Sequence, residues 1–153
     1  VMGRAVHHLG PLGAGHAMKC LNNCVTAMTL LATTEALVAG QRWGLDPAVM
    51  VDVLNQSTGG SWVAQTHFHR RIFNRAFDDP FRLALMLKDV GIALQLAQQT
   101  GTPMPMAEQG LGTWQQADAA AGPGASVSEL VRWIENLSGT ELRAGRPTPE
   151  ETA

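Results

Sequence analysis

The sequence predicts an all-α domain, a helical bundle built around one long central helix. Three observations carry this expectation. No proline interrupts residues 12–43, where apolar residues fall at Met18, Leu21, Val25, Met28, Leu31, Ala32 and Leu37, close to helical spacing. Each later apolar stretch is bounded by helix start or stop signals. The body of the chain offers no convincing strand.

The first helix is expected over about 13–42. Its remaining faces carry mostly Ala, Thr and Cys, and a helix with so little charge is predicted to be buried nearly all round, as the core of the bundle. Gly44 then acts as a stop, Asp46 as an N-cap and Pro47 as the first residue of a second helix over about 47–56. "STGGSW" reads as a glycine turn, and Ser61 is placed to cap a third helix reaching about residue 71. "FNRAFDDPF" is a loop closed by Pro80. A fourth helix, about 82–99, carries Leu83, Met86, Leu87, Val90, Leu94 and Ala97 on one face. Gly101, Pro103 and Pro105 mark the next turn, a fifth helix follows to about 121, and "AGPGAS" precedes a last helix over 127–137.

The two ends read differently. Residues 139–153 are polar, contain two prolines and lack apolar periodicity, which predicts a disordered tail. The opening "VMGRAVHHLG" is short, partly β-branched and ends in glycine, like the last strand of another domain. A lone strand cannot satisfy its backbone groups, so the sequence is expected to begin inside a larger protein. Residues 1–12 are then a remnant strand and its exit, and 13–138 the helical domain.

Composition excludes several functions. At 153 residues, 45% hydrophobic and 16% charged, the chain suits one ordinary globular domain. Its 11 basic and 13 acidic residues are scattered, with no basic stripe for nucleic acid. The longest apolar run, 24–39, is broken by Thr26, Thr29, Thr33, Thr34 and Glu35 and falls short of the ~20 residues a membrane span needs. Cys20 and Cys24 share a helix face but are poorly placed for a disulfide, so they read as small buried residues in a reducing cytoplasm.

"GPLGAGHAMKCLNN", residues 10–23, is the stretch that points to chemistry. It is not a phosphate loop, because Gly15 is followed by His16 and the lysine comes four residues after that glycine; Met18 stands where a dinucleotide fingerprint needs its third glycine. Lys19 remains to be explained. It lies in the first two turns of the long helix, where unpaired N–H groups make a cation unfavourable by roughly 0.3–1 kcal/mol. Asn23 lies one turn along on the same face. Spacing leaves two readings open: a lysine that snorkels to solvent while Asn22 or Asn23 bonds a loop, or a desolvated lysine suited to moving a proton.

Gly10, Gly13, Gly15, Lys19 and Asn23, written GxxGxGxxxKxxxN, resemble the second signature of the β-hydroxyacid dehydrogenases. This is the family of 3-hydroxyisobutyrate dehydrogenase and tartronate semialdehyde reductase, related more distantly to 6-phosphogluconate dehydrogenase. The resemblance continues through "EALVAGQRWGLDPAVMVDVLNQSTGGSW" and "FRLALMLKDVGIALQLAQQTGTPMPM" and covers about residues 1–137. It implies the helical C-terminal half of an enzyme whose N-terminal Rossmann domain binds most of an NAD or NADP cofactor. It implies that Lys19 is the catalytic lysine, that Asn23 holds a small 3-hydroxy acid beside it, and that Lys88 approaches the cofactor. It also implies that the chain alone is inactive. A different reading, a helical oligomerisation module without chemistry, rests on the apolar long helix pairing with its copy as a dimer; the two are compatible.

The remaining candidates carry less. His67 and His69 stand two apart, point to different helix faces and have no nearby Cys or acid pair, so no metal site is expected. Without the resemblance, Lys88 reads as well as an ordinary exposed charge beside Asp89. The methionines read as core filler, and Trp43, Trp62, Trp114 and Trp133 as packing residues, with Trp62 beside the glycine turn also placed to line a substrate pocket.

Overall fold

Helix α1 (Ala14–Arg42) begins at Gly13, whose backbone adopts φ 96°, a left-handed conformation open to glycine at no steric cost. Gly10, with φ 125°, needs the same freedom, so these two glycines of the motif shape the turn that enters the helix. No side chain caps α1 and no acid sits in its first turn. The computed structural model describes residues 7–145. Residues 1–6 of the expected terminal strand lie outside them, and 7–10 form no strand.

Five further α-helices follow: α2 (Pro47–Asn55), α3 (Trp62–Thr66), α4 (Leu83–Thr100), α5 (Pro105–Ala121) and α6 (Glu129–Ser138). The expected caps form, since Asp46 accepts from the Ala48 amide at 2.9 Å and Ser61 from the Ala64 amide at 3.1 Å. The third helix is not uniform, however. After Thr66 it widens into a π-helical turn, Phe68–Ile72, which buries both Phe68 and Ile72. Among the described residues there are no named strands, only an isolated antiparallel bridge between Arg82 and Ser126 that clasps the start of α4 to the loop before α6.

The long helix is the hub, packing against each of the other five, but it is not buried all round. Cys20, Cys24, Ala27, Leu30, Thr34, Leu37, Val38 and Gln41 form its inner stripe, while Met18 and Val25 face outward. Alanine and threonine are small and weakly polar enough to lie on either face, so the missing charges misrepresented its burial. Leu30 and Leu37 sit in a continuous core with Val51, Phe68, Leu83, Val90, Trp114 and Leu130. Each such side chain contributes about 1.5–3 kcal/mol on burial. Of the other tryptophans Trp133 is partly buried, whereas Trp43 and Trp62 are exposed and do not pack the core.

The C-terminal segment also departs from expectation, for residues 140–145 are ordered against the bundle. Leu142 is fully buried, and its amide donates to Glu135 Oε1 at 2.6 Å. Gln41 donates to the Glu141 carbonyl at 2.6 Å and accepts from the Arg143 amide at 3.3 Å, while the Gly145 amide reaches Asp46 at 3.1 Å. One leucine and two buried polar partners fasten a segment too short to show periodicity. Residues 146–153 of the expected tail lie outside the described residues.

Candidate active site

Helices α1 and α4 pack side by side, and Lys19 and Asn23, one turn apart on α1, both face a residue of α4. That residue is Asp89, whose side chain is 1% exposed. Lys19 Nζ lies 2.7 Å from Asp89 Oδ2, Asn23 Nδ2 donates to the same oxygen at 2.6 Å, and Lys88 Nζ lies 2.9 Å from Oδ1. Cys20 Sγ approaches Oδ1 at 3.9 Å, a weak fourth contact.

A buried carboxylate is costly unless charged partners and hydrogen bonds compensate it, and here three donors do so. Burial alone would raise the Asp89 pKa, but the bonds from Lys19, Lys88 and Asn23 outweigh it and hold the group at about 2. The same bond raises the Lys88 ammonium above the ordinary lysine value. Because the Asp89 pKa in the fold lies below its reference value of 3.8, its stabilising contribution is complete above that pH and is lost as pH falls through about 2. Urea unfolding at stepped pH should show this loss in the wild type. The variant Asp89→Asn should be flatter over that window; equal slopes would contradict the assignment.

Of the two readings that spacing leaves open for Lys19, the geometry does not support the desolvated one. Lys19 is 56% exposed and Lys88 54%, each with its tip on the shared carboxylate, so within this chain neither ammonium is buried. Asn23 is more constrained. A carboxylate can only accept, so its Nδ2 is committed to Asp89 and its carbonyl oxygen is left for another partner.

Beside this cluster opens a cleft of about 460 Å³ lined by Asn22, Asn23, Thr26, Trp62, His67, Asp79 and Phe81, floored by Leu30, Met86 and Val127. Lys19 Nζ stands 5.8 Å from the centre of the Phe81 ring, which forms part of the cleft lining. His67 is buried, and its Nε2 meets Asp79 Oδ2 at 2.9 Å. Burial lowers the His67 pKa; the neighbouring Asp79 opposes that shift and Arg71 adds to it. His69 pairs separately with Asp52 at 3.1 Å on the surface. Both histidines thus have acidic partners, supplied by a loop and by α2, which spacing within their own helix could not reveal.

A chain with this fold and this lysine–asparagine pair invites comparison with known dehydrogenases. The family model described as "NAD-binding of NADP-dependent 3-hydroxyisobutyrate dehydrogenase" matches residues 13–134. The chain belongs to the 3-hydroxyisobutyrate dehydrogenase family. A Pseudomonas aeruginosa 3-hydroxyisobutyrate dehydrogenase is 37% identical over 111 residues, covering 67% of this chain and 37% of that protein. The 2-(hydroxymethyl)glutarate dehydrogenase of Eubacterium barkeri is 27% identical over 146 residues, covering 95% of this chain and 48% of the relative. A solved structure of the Mycobacterium tuberculosis 3-hydroxyisobutyrate dehydrogenase with L-serine superposes with a TM-score of 0.77 at 29% identity, covering 87% of this chain and 47% of that one. The chain therefore spans about half the length, or less, of these relatives.

Set in this family, the structure brings Lys19, Asn23 and Lys88 together, and the residue that unites them is one the motif reading passed over. Asp89 shares the buried face of Met86, Val90, Ala93 and Ala97. An acid on a buried stripe demands a cationic partner from elsewhere, and that demand is visible in the sequence. The roles of Trp62, His67 and Asp79 as neighbours in the cleft depend on the π-helical turn and the following loop, which local patterns do not encode.

Proposed function

We propose that this chain is the C-terminal catalytic half of an NAD(P)-dependent dehydrogenase that oxidises a small 3-hydroxy acid, or reduces the matching semialdehyde, in the cytoplasm. The observation that carries the reading is the convergence of Lys19, Asn23 and Lys88 on buried Asp89, beside a cleft that Asn23 lines. In the oxidative direction the amine form of Lys19 accepts the substrate's hydroxyl proton as the adjacent carbon gives up hydride; in the reductive direction the ammonium returns that proton to the carbonyl oxygen. Asp89 stays ionised throughout and steadies the ammonium. The free carbonyl oxygen of Asn23 is placed to hold the substrate hydroxyl beside it. Bound NAD or NADP supplies the hydride acceptor.

The residues present fit one edge of such a cofactor. Lys88 offers an exposed cation to a polyanionic dinucleotide, but the glycine-rich stretch builds no phosphate cradle, since Gly15 already lies inside α1. The cofactor's phosphates are therefore assigned to a Rossmann domain joined to this chain. Isothermal calorimetry on the chain alone should detect no micromolar binding of NAD or NADP; such binding would relocate the dinucleotide site.

The function itself is tested by assaying the chain joined to its dinucleotide-binding domain against small 3-hydroxy acids with NAD and with NADP. Reduced nicotinamide should accumulate with at least one such acid, and its absence across the series would refute the assignment. Self-association belongs to the same reading. Val25, Met28 and Thr29 of α1 line an apolar groove with Pro105 and Met106 of α5 and Met104 before it, and exposed apolar surface of this kind favours pairing. Sedimentation should show a dimer, and a monomer at high concentration would contradict it.

A further inference from the structure

Trp62 leaves 64% of its surface exposed at the rim of the cleft. It is nevertheless held from behind. The His67 ring meets it edge-on, with centroids 5.3 Å apart and planes at 69°. Both nitrogens of His67 are engaged, Nε2 with Asp79 Oδ2 at 2.9 Å and Nδ1 with Thr66 Oγ1 at 3.0 Å. The Thr66 hydroxyl has one proton, which serves either His67 Nδ1 or the Trp62 carbonyl 2.8 Å away, so these two contacts at the base of the indole alternate.

Asp79 anchors this set of contacts. Its carboxylate only accepts, so it places a proton on His67 Nε2 and fixes the orientation of the imidazole. Its other oxygen accepts from the Phe81 amide at 2.8 Å, and Arg71 Nε lies 3.5 Å from the oxygen that His67 uses. One carboxylate thus holds both aromatic walls of the cleft, Phe81 through its backbone and Trp62 through His67. Burial keeps His67 from charging readily, which leaves the Asp79 carboxylate as the charge in this wall.

We propose that Asp79 is a positioning residue that sets substrate selectivity. By fixing the Trp62 and Phe81 rings it shapes the cleft for a hydroxyacid with a small aliphatic substituent, and its own negative charge in the cleft wall repels a second carboxylate. The inference rests on reading the cleft as the hydroxyacid site. Leu30, Met86 and Val127 at its floor suit the same kind of substituent.

The test is steady-state kinetics of the complete dehydrogenase with 3-hydroxyisobutyrate and with the dicarboxylate 2-(hydroxymethyl)glutarate. Asp79→Ala should raise KM for 3-hydroxyisobutyrate by about 10- to 100-fold, the range for losing one set of pocket contacts, with kcat within about threefold. Asp79→Asn keeps an acceptor for the Phe81 amide and a partner for His67, so it should restore that KM to within about threefold while narrowing the preference over the dicarboxylate. Should Asp79→Ala not fold by circular dichroism, His67→Gln replaces it, with the same rise in KM expected. An unchanged KM and preference in a folded variant overturns the proposal, as does a fall in kcat at constant KM. Lys19→Ala in the same assay separates the two levels: if it abolishes turnover while Asp79 variants behave as wild type, only the selectivity role fails. If Lys19→Ala is fully active, the reading of the site fails with it.

Discussion

Replacing Lys19 by alanine in the complete dehydrogenase should lower kcat by about 10² to 10⁴, the usual range for losing a general acid–base, with cofactor affinity nearly unchanged. The physical case begins with position. A cation in the first turns of an uncapped helix is locally unfavourable, yet Lys19 lies there, paired with a buried carboxylate and 5.8 Å from the Phe81 ring. Lys19→Arg should be almost as damaging, because a guanidinium stays protonated and cannot take up the hydroxyl proton. Asn23→Ala should hurt less, raising KM more than it lowers kcat, as expected of a side chain proposed to position the substrate without moving a proton. Stopped-flow measurement of reduced nicotinamide would separate the chemical step from product release.

Asp89→Ala should lower kcat by about 10², because displacing a catalytic group by as little as 1 Å costs that much. Asp89 does not reach into the chemistry. It fixes the Lys19 ammonium and the Asn23 amide on one oxygen, 2.7 and 2.6 Å away, and holds Lys88 on the other. Without it both lysines swing into water, which half of each side chain already meets. The fold should survive for that reason: the released cations rehydrate, and no buried charge is left unpaired. Asp89→Asn should lie between wild type and alanine, retaining an acceptor but not the charge that balances two ammoniums.

Part of the cluster around Asp89 was legible in the sequence, and the limits of that legibility have physical causes. Lys19 stood out because a cation in the first turns of a helix contradicts ordinary helix electrostatics, whereas Asn23 and Lys88 were singled out by the family resemblance alone. The caps at Asp46 and Ser61 formed as expected because capping is local. Asp89 was hidden in plain view beside Lys88, since the pair resembles a surface charge couplet until its register with Met86, Val90 and Ala93 is considered. The His67–Asp79 and Gln41–Arg143 contacts join residues far apart in sequence, and no periodicity announces them. The depth of α1 was overestimated because alanine and threonine suit both sides of a helix. The strap at residues 140–145 was missed because a single leucine anchors it.

In this arrangement Asp89 is proposed to serve the chemistry by holding Lys19. A double-mutant cycle in kcat tests this most directly, using Lys19→Ala, Asp89→Ala and the two combined. If Asp89 acts through Lys19, the double variant should be no slower than Lys19→Ala alone, because the group that Asp89 positions is already gone. If the two losses multiply instead, Asp89 contributes independently of Lys19, through Asn23 or Lys88, and the claim that it acts by holding Lys19 is wrong.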